Sequence, residues 1–320
     1  MAQFLDSAFW GTPTTEPADP HWLWHGYLAP GKITLLTALW KSGKTTLLAH
    51  LLAQRKAGGT FLDQPVAPGV STVVSEEGAD LWHMRRRSLD LSRVCIFSRP
   101  FAGRPSLPQM DEFVGRLLEM KKEHAIDLVV FDTLFMFLPS VNENSADLVL
   151  AGMSPFVRLA DAGMSVLLMH HPRKGEPGLG QASRGSGALL GAVDLFLEMR
   201  LPAGDPFTRR RRLLAWSRFE ETPKQMLIEL TPEGSYIRHG EEAASVLDLW
   251  DAVRLVLMAA EEPLTRQEIR RDWPDESPPP GDTALWKCLN RAVEMGLVRC
   301  EGEGTRGKAF RYWLVEREEL

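Results

Sequence analysis

The residues with the clearest chemical meaning form one short segment, ALWKSGKTT, which runs from 38 to 46. It lies between a strand-like run and a helical pattern, the context in which glycine-rich loops bind phosphate. Backbone N–H groups at a helix N-terminus attract anions, and Gly43 lets the backbone come close to a phosphate because glycine has no Cβ. Lys44 can place its ammonium on the β- and γ-phosphates of a nucleotide, and Thr45 can offer its hydroxyl to Mg²⁺. The candidate nucleotide-contact residues are Ala38, Trp40, Lys41, Ser42, Gly43, Lys44, Thr45 and Thr46.

The segment departs in one place from the usual phosphate-binding pattern, GxxxxGK followed by Ser or Thr. Ala38 stands where the pattern has its first glycine. If that position needs a positive φ, alanine costs about 1 kcal/mol there. The competing interpretation is a chance Gly-Lys-Thr turn, but the strand and helix on either side favour nucleotide binding.

Acidic residues follow two other strand-like runs. Asp132 ends the apolar run DLVVF, where a buried carboxylate is costly unless it holds a cation or caps a turn. We therefore expect Asp132 to help Thr45 hold Mg²⁺, with a cap on the turn at Thr133 as the alternative. Glu76 and Glu77 follow VSTVVS, and one of them can polarise an attacking water. We prefer Glu76, which is nearer to the strand end; the alternative is that both are solvated loop acids.

Two histidines, His170 and His171, end the run SVLLM and should lie at the same edge of the sheet. A histidine there can hydrogen-bond a γ-phosphate and transmit its loss to the following loop. His171 is the predicted sensor. One alternative is a structural histidine, which is the stronger interpretation for His170. The other is metal ligation, for which no cysteine or acid lies at a suitable spacing.

The segments around these residues alternate between buried-strand and helix patterns. Predicted strands are 33–37, 70–75, 94–97, 127–131 and 165–169. Predicted helices are 44–54, 79–91, 109–124 and 146–162. This alternation predicts an α/β fold with a doubly wound, mostly parallel sheet. Short strand-like runs at 195–199, 213–216 and 226–230 predict an antiparallel extension of that sheet.

Changes in pattern along the chain predict the domain boundaries. Residues 1–30 are rich in Pro, Trp and His and predict an irregular N-terminal arm, and 31–240 form the predicted α/β domain. Residues 245–320 show three helical patterns and then two strand-like runs around a glycine turn. This order predicts a small winged-helix domain with Trp286 and Trp313 in its core. Its 15 acidic residues outnumber its 11 basic residues, and a negative net charge disfavours strong binding of duplex DNA. A protein partner is therefore the alternative.

Composition limits the function classes that fit the chain. The 320 residues carry a net charge of -5, so any contact with nucleic acid must be local. The arginine run 209–212 is one candidate for phosphate contact, although charge runs are more often solvated. The three cysteines lack metal-ligand spacing and predict reduced thiols in a cytoplasmic protein. We expect neither a signal peptide nor a membrane contact.

Together, these motifs resemble those of RecA/DnaB-like P-loop ATPases. They are most similar to RepA-type replicative helicases and related AAA family ATPases of plasmids, phages and mobile elements. The resemblance covers residues 22–235 approximately. It rests on ALWKSGKTTLL, AGGTFLDQPVAPG before VVSEE, DLVVFDTL, VLLMHHPRKG and SRGSGALLGAVDLFLEM, in that order. It implies a RecA-like fold that uses ATP and Mg²⁺.

The resemblance also implies roles for individual residues. Lys44 and Thr45 match the P-loop pair, and Asp132 matches the second Walker acid. Glu76 matches the catalytic glutamate. His171 matches the polar sensor at the end of the next strand.

Related proteins form rings, usually hexamers, with ATP between subunits and an arginine of the neighbour completing the site. The resemblance therefore implies a homo-oligomer. The family's Lys-x-Arg pair on a late strand corresponds here to Trp216-Ser217-Arg218, so the arginine is kept and the lysine is absent. Arg218 is the predicted trans arginine, with an ordinary exposed arginine as the alternative. Arg184 is a second candidate.

A basic, glycine-rich loop at 172–186 matches the loop that contacts single-stranded DNA in related rings. Arg173, Lys174 and Arg184 are its candidate DNA-binding residues. The predicted function is therefore an ATP-hydrolysing DNA helicase or helicase-like replication protein. Two alternatives stay open: an ATP-dependent DNA-binding switch or regulatory ATPase that does not unwind DNA, and an ATP-regulated scaffold for a protein partner.

Overall fold

The computed structural model describes residues 21–139, 146–171, 187–201, 208–239, 241–273, 279–304 and 308–315. The strands are β1 (Ile33–Ala38), β2 (Gly59–Phe61), β3 (Gln64–Val66), β4 (Val70–Ser75), β5 (Val94–Ser98), β6 (Ile126–Asp132), β7 (Ser165–His170), β8 (Leu195–Arg200), β9 (Arg210–Ser217), β10 (Gln225–Leu230), β11 (Tyr236–His239), β12 (Leu264–Thr265), β13 (Val298–Glu301) and β14 (Arg311–Leu314). The helices are α1 (Lys44–Gln54), α2 (Ala79–Arg85), α3 (Leu107–His124), α4 (Leu134–Phe137), α5 (Ala146–Asp161), α6 (Gly187–Gly191), α7 (Glu241–Ala259), α8 (Arg266–Arg271) and α9 (Asp282–Glu294).

Nine strands form one sheet in the order β11-β10-β9-β8-β1-β7-β6-β4-β5. The six strands from β8 to β5 in that order are parallel, and β9, β10 and β11 extend the sheet through antiparallel pairs. This confirms the predicted α/β fold, a mostly parallel sheet with an antiparallel extension, and it is consistent with a RecA-like arrangement. Because parallel strands end at the same edge of a sheet, the C-termini of β1, β4, β6 and β7 meet there. We call this edge the carboxyl edge.

Helices cover both faces of the sheet. Alternate residues of β1 point to opposite faces, so Leu36 packs in a cluster with Leu51 of α1, and Leu35 packs in a second cluster with Phe156 of α5. All four side chains are almost fully buried. A sheet buried on both faces is a rigid support for residues at its edge. Among the described helices, none is long and apolar enough to cross a membrane.

Two local features differ from the sequence prediction. The helix predicted at 79–91 ends at Arg85, because Ser88 and Asp90 hydrogen-bond nearby backbone groups and so favour turns over helix. The glycine-rich segment before β4 contains a hairpin, β2–β3, that the sequence did not reveal. Its turn residues Leu62 and Asp63 have φ values of 54° and 59°, which is a conformation that usually calls for glycine or asparagine.

The packed domain begins before residue 31, where the predicted arm ends. Trp24 and Tyr27 are 3% and 0% exposed and belong to the same cluster as α1. The Trp24 indole N–H donates to the carbonyl of Phe61 at 3.3 Å, and Thr34 Oγ1 donates to the carbonyl of Tyr27 at 2.8 Å. Residues 23–29 are therefore part of the α/β core, because aromatic side chains anchor them even though they form no long strand or helix.

The C-terminal residues form a separate small core. It includes Trp250 of α7, Ile269 of α8 and Tyr312 of β14, beside the antiparallel sheet β12-β14-β13. The element order is helix, strand, helix, helix and two strands, and the winged-helix interpretation of it stays a prediction. The expectation that Trp286 lies in the core is wrong, since this side chain is 42% exposed. The buried stripe of α9 passes through Leu285, which directs the next residue outward.

Candidate functional site

The loop between β1 and α1 leads into the N-terminus of a helix, where backbone N–H groups are available to an anion. Gly43 is the N-cap of α1, with φ 96°, a conformation that glycine adopts without strain. Ala38 is the last residue of β1 and does not have a positive φ, so the conditional cost of alanine at this position does not arise. The left-handed non-glycine residue of the loop is Lys41, at φ 58°. Ser42 and Lys44 are buried, and Trp40 is 70% exposed.

Lys44 is already placed by contacts within the chain. Its ammonium donates to the carbonyl of Ala38 at 2.8 Å and to Nδ1 of His171 at 2.8 Å, and the residue is only 4% exposed. Burial lowers the pKa of Lys44 to about 8, against the attraction of Asp132 and Glu76. The lysine therefore lies in an electronegative pocket where an arriving phosphate would favour its charged form.

His171 follows β7 and faces the loop. Its Nδ1 accepts a hydrogen bond from Lys44 and therefore carries no proton. The carbonyl oxygen of Ala38, 3.3 Å from the same nitrogen, thus receives no hydrogen bond from it. Burial, and then the charge of Lys44, lower the pKa of His171. The ring is consequently neutral, with its proton on Nε2.

Thr45 and Asp132 form an oxygen-rich pair. Thr45 Oγ1 donates to Asp132 Oδ2 at 2.9 Å. Burial raises the pKa of Asp132 to about 6; the Thr45 bond opposes this shift, and the charges of Glu77 and Glu76 add to it. A hydroxyl and a carboxylate fit Mg²⁺, which takes few protein ligands and completes its shell with phosphate and water. No cluster of three or more His, Cys, Asp or Glu suited to a metal occurs among the described residues.

The two glutamates after β4 have different partners. Glu76 Oε2 accepts from Thr133 Oγ1 at 3.0 Å, and its backbone N–H donates to the carbonyl of Asp132 at 2.7 Å. Glu77 instead accepts from Arg85 at 2.5 and 3.1 Å. Glu76 therefore lies beside the strand end that carries Asp132, whereas Glu77 is engaged by α2.

Arg218 lies far from these residues. Ser217, the last residue of β9, pairs with Leu195, the first residue of β8. Since β8 is parallel to β1, Arg218 is at the edge where β1 begins, roughly 20 Å from its end by the length of a six-residue strand. It is exposed and cannot reach the loop of its own chain. Trp216, in the position of the missing lysine, stacks on Phe196 with ring centroids 5.3 Å apart.

Two further residues lie beside the loop, and one of them comes from the arginine run 209–212. Arg211 Nε donates to the carbonyl of Ser42 at 2.7 Å, and the hydroxyl of Tyr236 lies 3.9 Å from the point where a Cβ on Gly43 would be. The arginine run was the sequence signal for Arg211, but nothing in the sequence indicated which of its members faces the loop. The predicted DNA-binding residues Arg173, Lys174 and Arg184 lie outside the described residues.

Comparison with known proteins identifies the family. A search of curated proteins found no match. A family model described as an AAA domain matches residues 2–177, which is more than half of the chain. That match includes the loop after β1 and the C-terminal ends of β4, β6 and β7. The chain therefore belongs to the AAA domain family and is a nucleotide-binding ATPase of the P-loop class.

Proposed function

We propose that this protein binds Mg-ATP at Lys44, Thr45 and Asp132 and hydrolyses it with Glu76 as the general base. We further propose that it is a ring-forming DNA helicase or helicase-like replication protein that acts on single-stranded DNA. The observation that supports the site is the 2.9 Å hydrogen bond between Thr45 and Asp132. It joins the P-loop to a second strand end in the arrangement that a Mg²⁺ bound to ATP requires.

Each residue has one task in this mechanism. Lys44 leaves the carbonyl of Ala38 and binds the β- and γ-phosphates of ATP. Thr45 and Asp132 would hold Mg²⁺, which would supply charge neutralisation at the phosphate oxygens. Glu76, held by Thr133, takes a proton from the water that attacks the γ-phosphate, and ADP leaves.

His171 provides the link between nucleotide state and the following loop. With ATP bound, Lys44 moves to phosphate and His171 loses the donor on Nδ1. Its Nε2–H can then bind a γ-phosphate oxygen. When the γ-phosphate leaves, His171 loses this acceptor, and once ADP has also left Lys44 returns to Nδ1, so the histidine has different partners with and without ATP.

Arg218 is proposed as the trans arginine because its position rules out action on its own P-loop. In a ring, an exposed arginine at the opposite edge of the sheet can face the site of a neighbour. Arg218→Ala should then abolish hydrolysis, and mixing it with Glu76→Gln subunits should restore part of it, because some interfaces receive both intact residues. Absence of recovery in mixtures shown to co-assemble would refute the trans role. Particle mass with and without an ATP analogue gives the ring size.

Single-stranded DNA is the proposed partner of the loop 172–186, which carries Arg173, Lys174 and Arg184. The supporting observation is that this loop directly follows His171, the residue that contacts Lys44. For the C-terminal unit, duplex DNA and a protein remain the proposed partners. The exposed Trp286 supports a protein, because aromatic side chains are enriched at protein interfaces.

Steady-state ATP hydrolysis with and without single-stranded DNA tests the proposed function. We expect Mg²⁺-dependent turnover that DNA accelerates, and loss of ATP-dependent behaviour in Lys44→Ala. An unchanged rate with DNA would refute the motor function. Strand displacement on a forked duplex then separates a helicase from a DNA-binding switch.

A further inference from the structure

Arg211 approaches the P-loop from the side away from the catalytic residues. Its Nε donates to Ser42 of the loop, and its Nη1 donates to the carbonyls of Thr208 and Arg210, each at 2.6 Å. Three backbone carbonyls thus orient a half-buried guanidinium. Among the residues that the structure describes, no carboxylate forms an ion pair with it, so its positive charge is not neutralised locally.

Tyr236 is a second polar residue on this side of the loop, and we call Arg211 and Tyr236 together the collar. It is the first residue of β11, its hydroxyl approaches Gly43, and its ring packs edge-on against His50 at 5.1 Å. Burial raises the pKa of Tyr236 to about 12, and the charge of Arg211 opposes this shift. The phenol therefore stays a neutral hydrogen-bond donor next to the guanidinium.

The collar faces the end of the nucleotide that does not react. The γ-phosphate must lie near Glu76, Asp132 and His171, which end β4, β6 and β7. In the sheet these strands are all on one side of β1. A triphosphate that crosses the P-loop consequently has its α-phosphate on the other side of β1, toward β8, β9 and β10.

We propose that Arg211 is an α-phosphate-binding residue of the nucleotide site. Its Nε fixes the loop at Ser42, and Nη2, which makes none of the described hydrogen bonds, binds an α-phosphate oxygen together with the Tyr236 hydroxyl. A guanidinium suits this role because it donates in several fixed directions and keeps its charge. This inference deepens the proposed function and rests on the nucleotide site it assigns.

The test compares Arg211→Gln and Arg211→Lys with a matched control, Arg210→Gln. Arg210 is the neighbouring arginine on β9, and its Nε pairs with Glu229 at 2.9 Å instead of with the P-loop. The measurements are the Kd of a fluorescent ADP analogue and of ATP, together with kcat and KM for ATP. Thermal melting verifies that each variant is folded.

We expect Arg211→Gln to weaken ADP and ATP by the same factor, roughly tenfold, because both nucleotides carry the α-phosphate. The kcat at saturating ATP should change little, Arg211→Lys should be intermediate, and Arg210→Gln should resemble the wild type. If Arg211→Gln does not fold, the Lys variant decides by the same criteria.

Unchanged ADP affinity in Arg211→Gln would overturn the inference. If ATP binding alone were weakened, Arg211 would contact the γ-phosphate, and if only kcat fell, Arg211 would act on loop geometry only. If wild-type protein fails to bind ADP, the proposed nucleotide site itself is wrong. The two failures are therefore distinguishable.

Discussion

Replacing Glu76 with glutamine removes the proposed general base but keeps the size and shape of the side chain. The carboxylate is fixed by the Thr133 hydroxyl at 3.0 Å, and the Glu76 backbone is fixed by the carbonyl of Asp132 at 2.7 Å. A glutamine carbonyl oxygen can still accept from Thr133. It cannot take a proton from water at neutral pH, so any change in turnover reports the chemistry of this side chain.

We expect Glu76→Gln to lower kcat by about 10²- to 10⁴-fold, the usual contribution of a positioned general base. This range corresponds to about 3 to 5 kcal/mol of activation free energy. Nucleotide binding should survive. Burial is the main cause that raises the pKa of Asp132, with smaller contributions from Glu77 and Glu76, and Glu76 is not among the residues proposed to hold ATP or Mg²⁺.

The assay is phosphate release at saturating Mg-ATP, with the Kd of ATP measured in parallel. Glu77→Gln is the matched control, because Glu77 pairs with Arg85 rather than with the end of β6. Its kcat should fall by roughly fivefold at most, since a part-exposed ion pair contributes about 1 kcal/mol or less. Normal turnover in Glu76→Gln would refute the assignment, and loss of turnover in Glu77→Gln alone would transfer the role to Glu77.

Three further outcomes are expected. The pKa of Lys44 is lowered to about 8 from its ordinary value of 10.5, and a bound phosphate favours the ammonium, so ADP binding at pH 9 should take up a proton. The affinity for ADP should therefore fall as the pH rises above about 8. Calorimetry in buffers of different ionisation enthalpy measures the proton uptake, and its absence would contradict this prediction. Arg55 forms an ion pair with Asp127, and Arg55→Met should lower the free energy of unfolding by about 2 to 3 kcal/mol. The loss is smaller than for a fully buried pair because Asp127 is 36% exposed. An unchanged midpoint in denaturant titrations would contradict this prediction. Gly26→Ala should lower the free energy of unfolding by at least about 1 kcal/mol, since φ of Gly26 is 77° and the new Cβ would lie 2.7 Å from the carbonyl oxygen of Glu221. A wild-type melting temperature in this variant would contradict the prediction.

The local pattern of the chain was enough for most of the main sheet. A run such as DLVVF is apolar at nearly every position, which indicates a strand buried on both faces wherever it lies in the fold. The hairpin β2–β3 could not be predicted from local pattern, because its strands are three residues long and its turn places Leu62 and Asp63 at positive φ. The anchoring of Trp24 was also hidden, since its partners come from other parts of the chain.

The P-loop could be predicted from the chain alone, because a strand, a glycine turn and a Lys-Thr pair at a helix start are consecutive along it. The sequence favoured Glu76 over Glu77 from the nearness of Glu76 to the strand end, but it could not show that Arg85 pairs with Glu77 on the side of α2. It also could not place Arg211 at the P-loop or Arg218 at the opposite edge. Those positions depend on the direction and order of strands in the sheet, which are set by packing between distant segments rather than by local pattern.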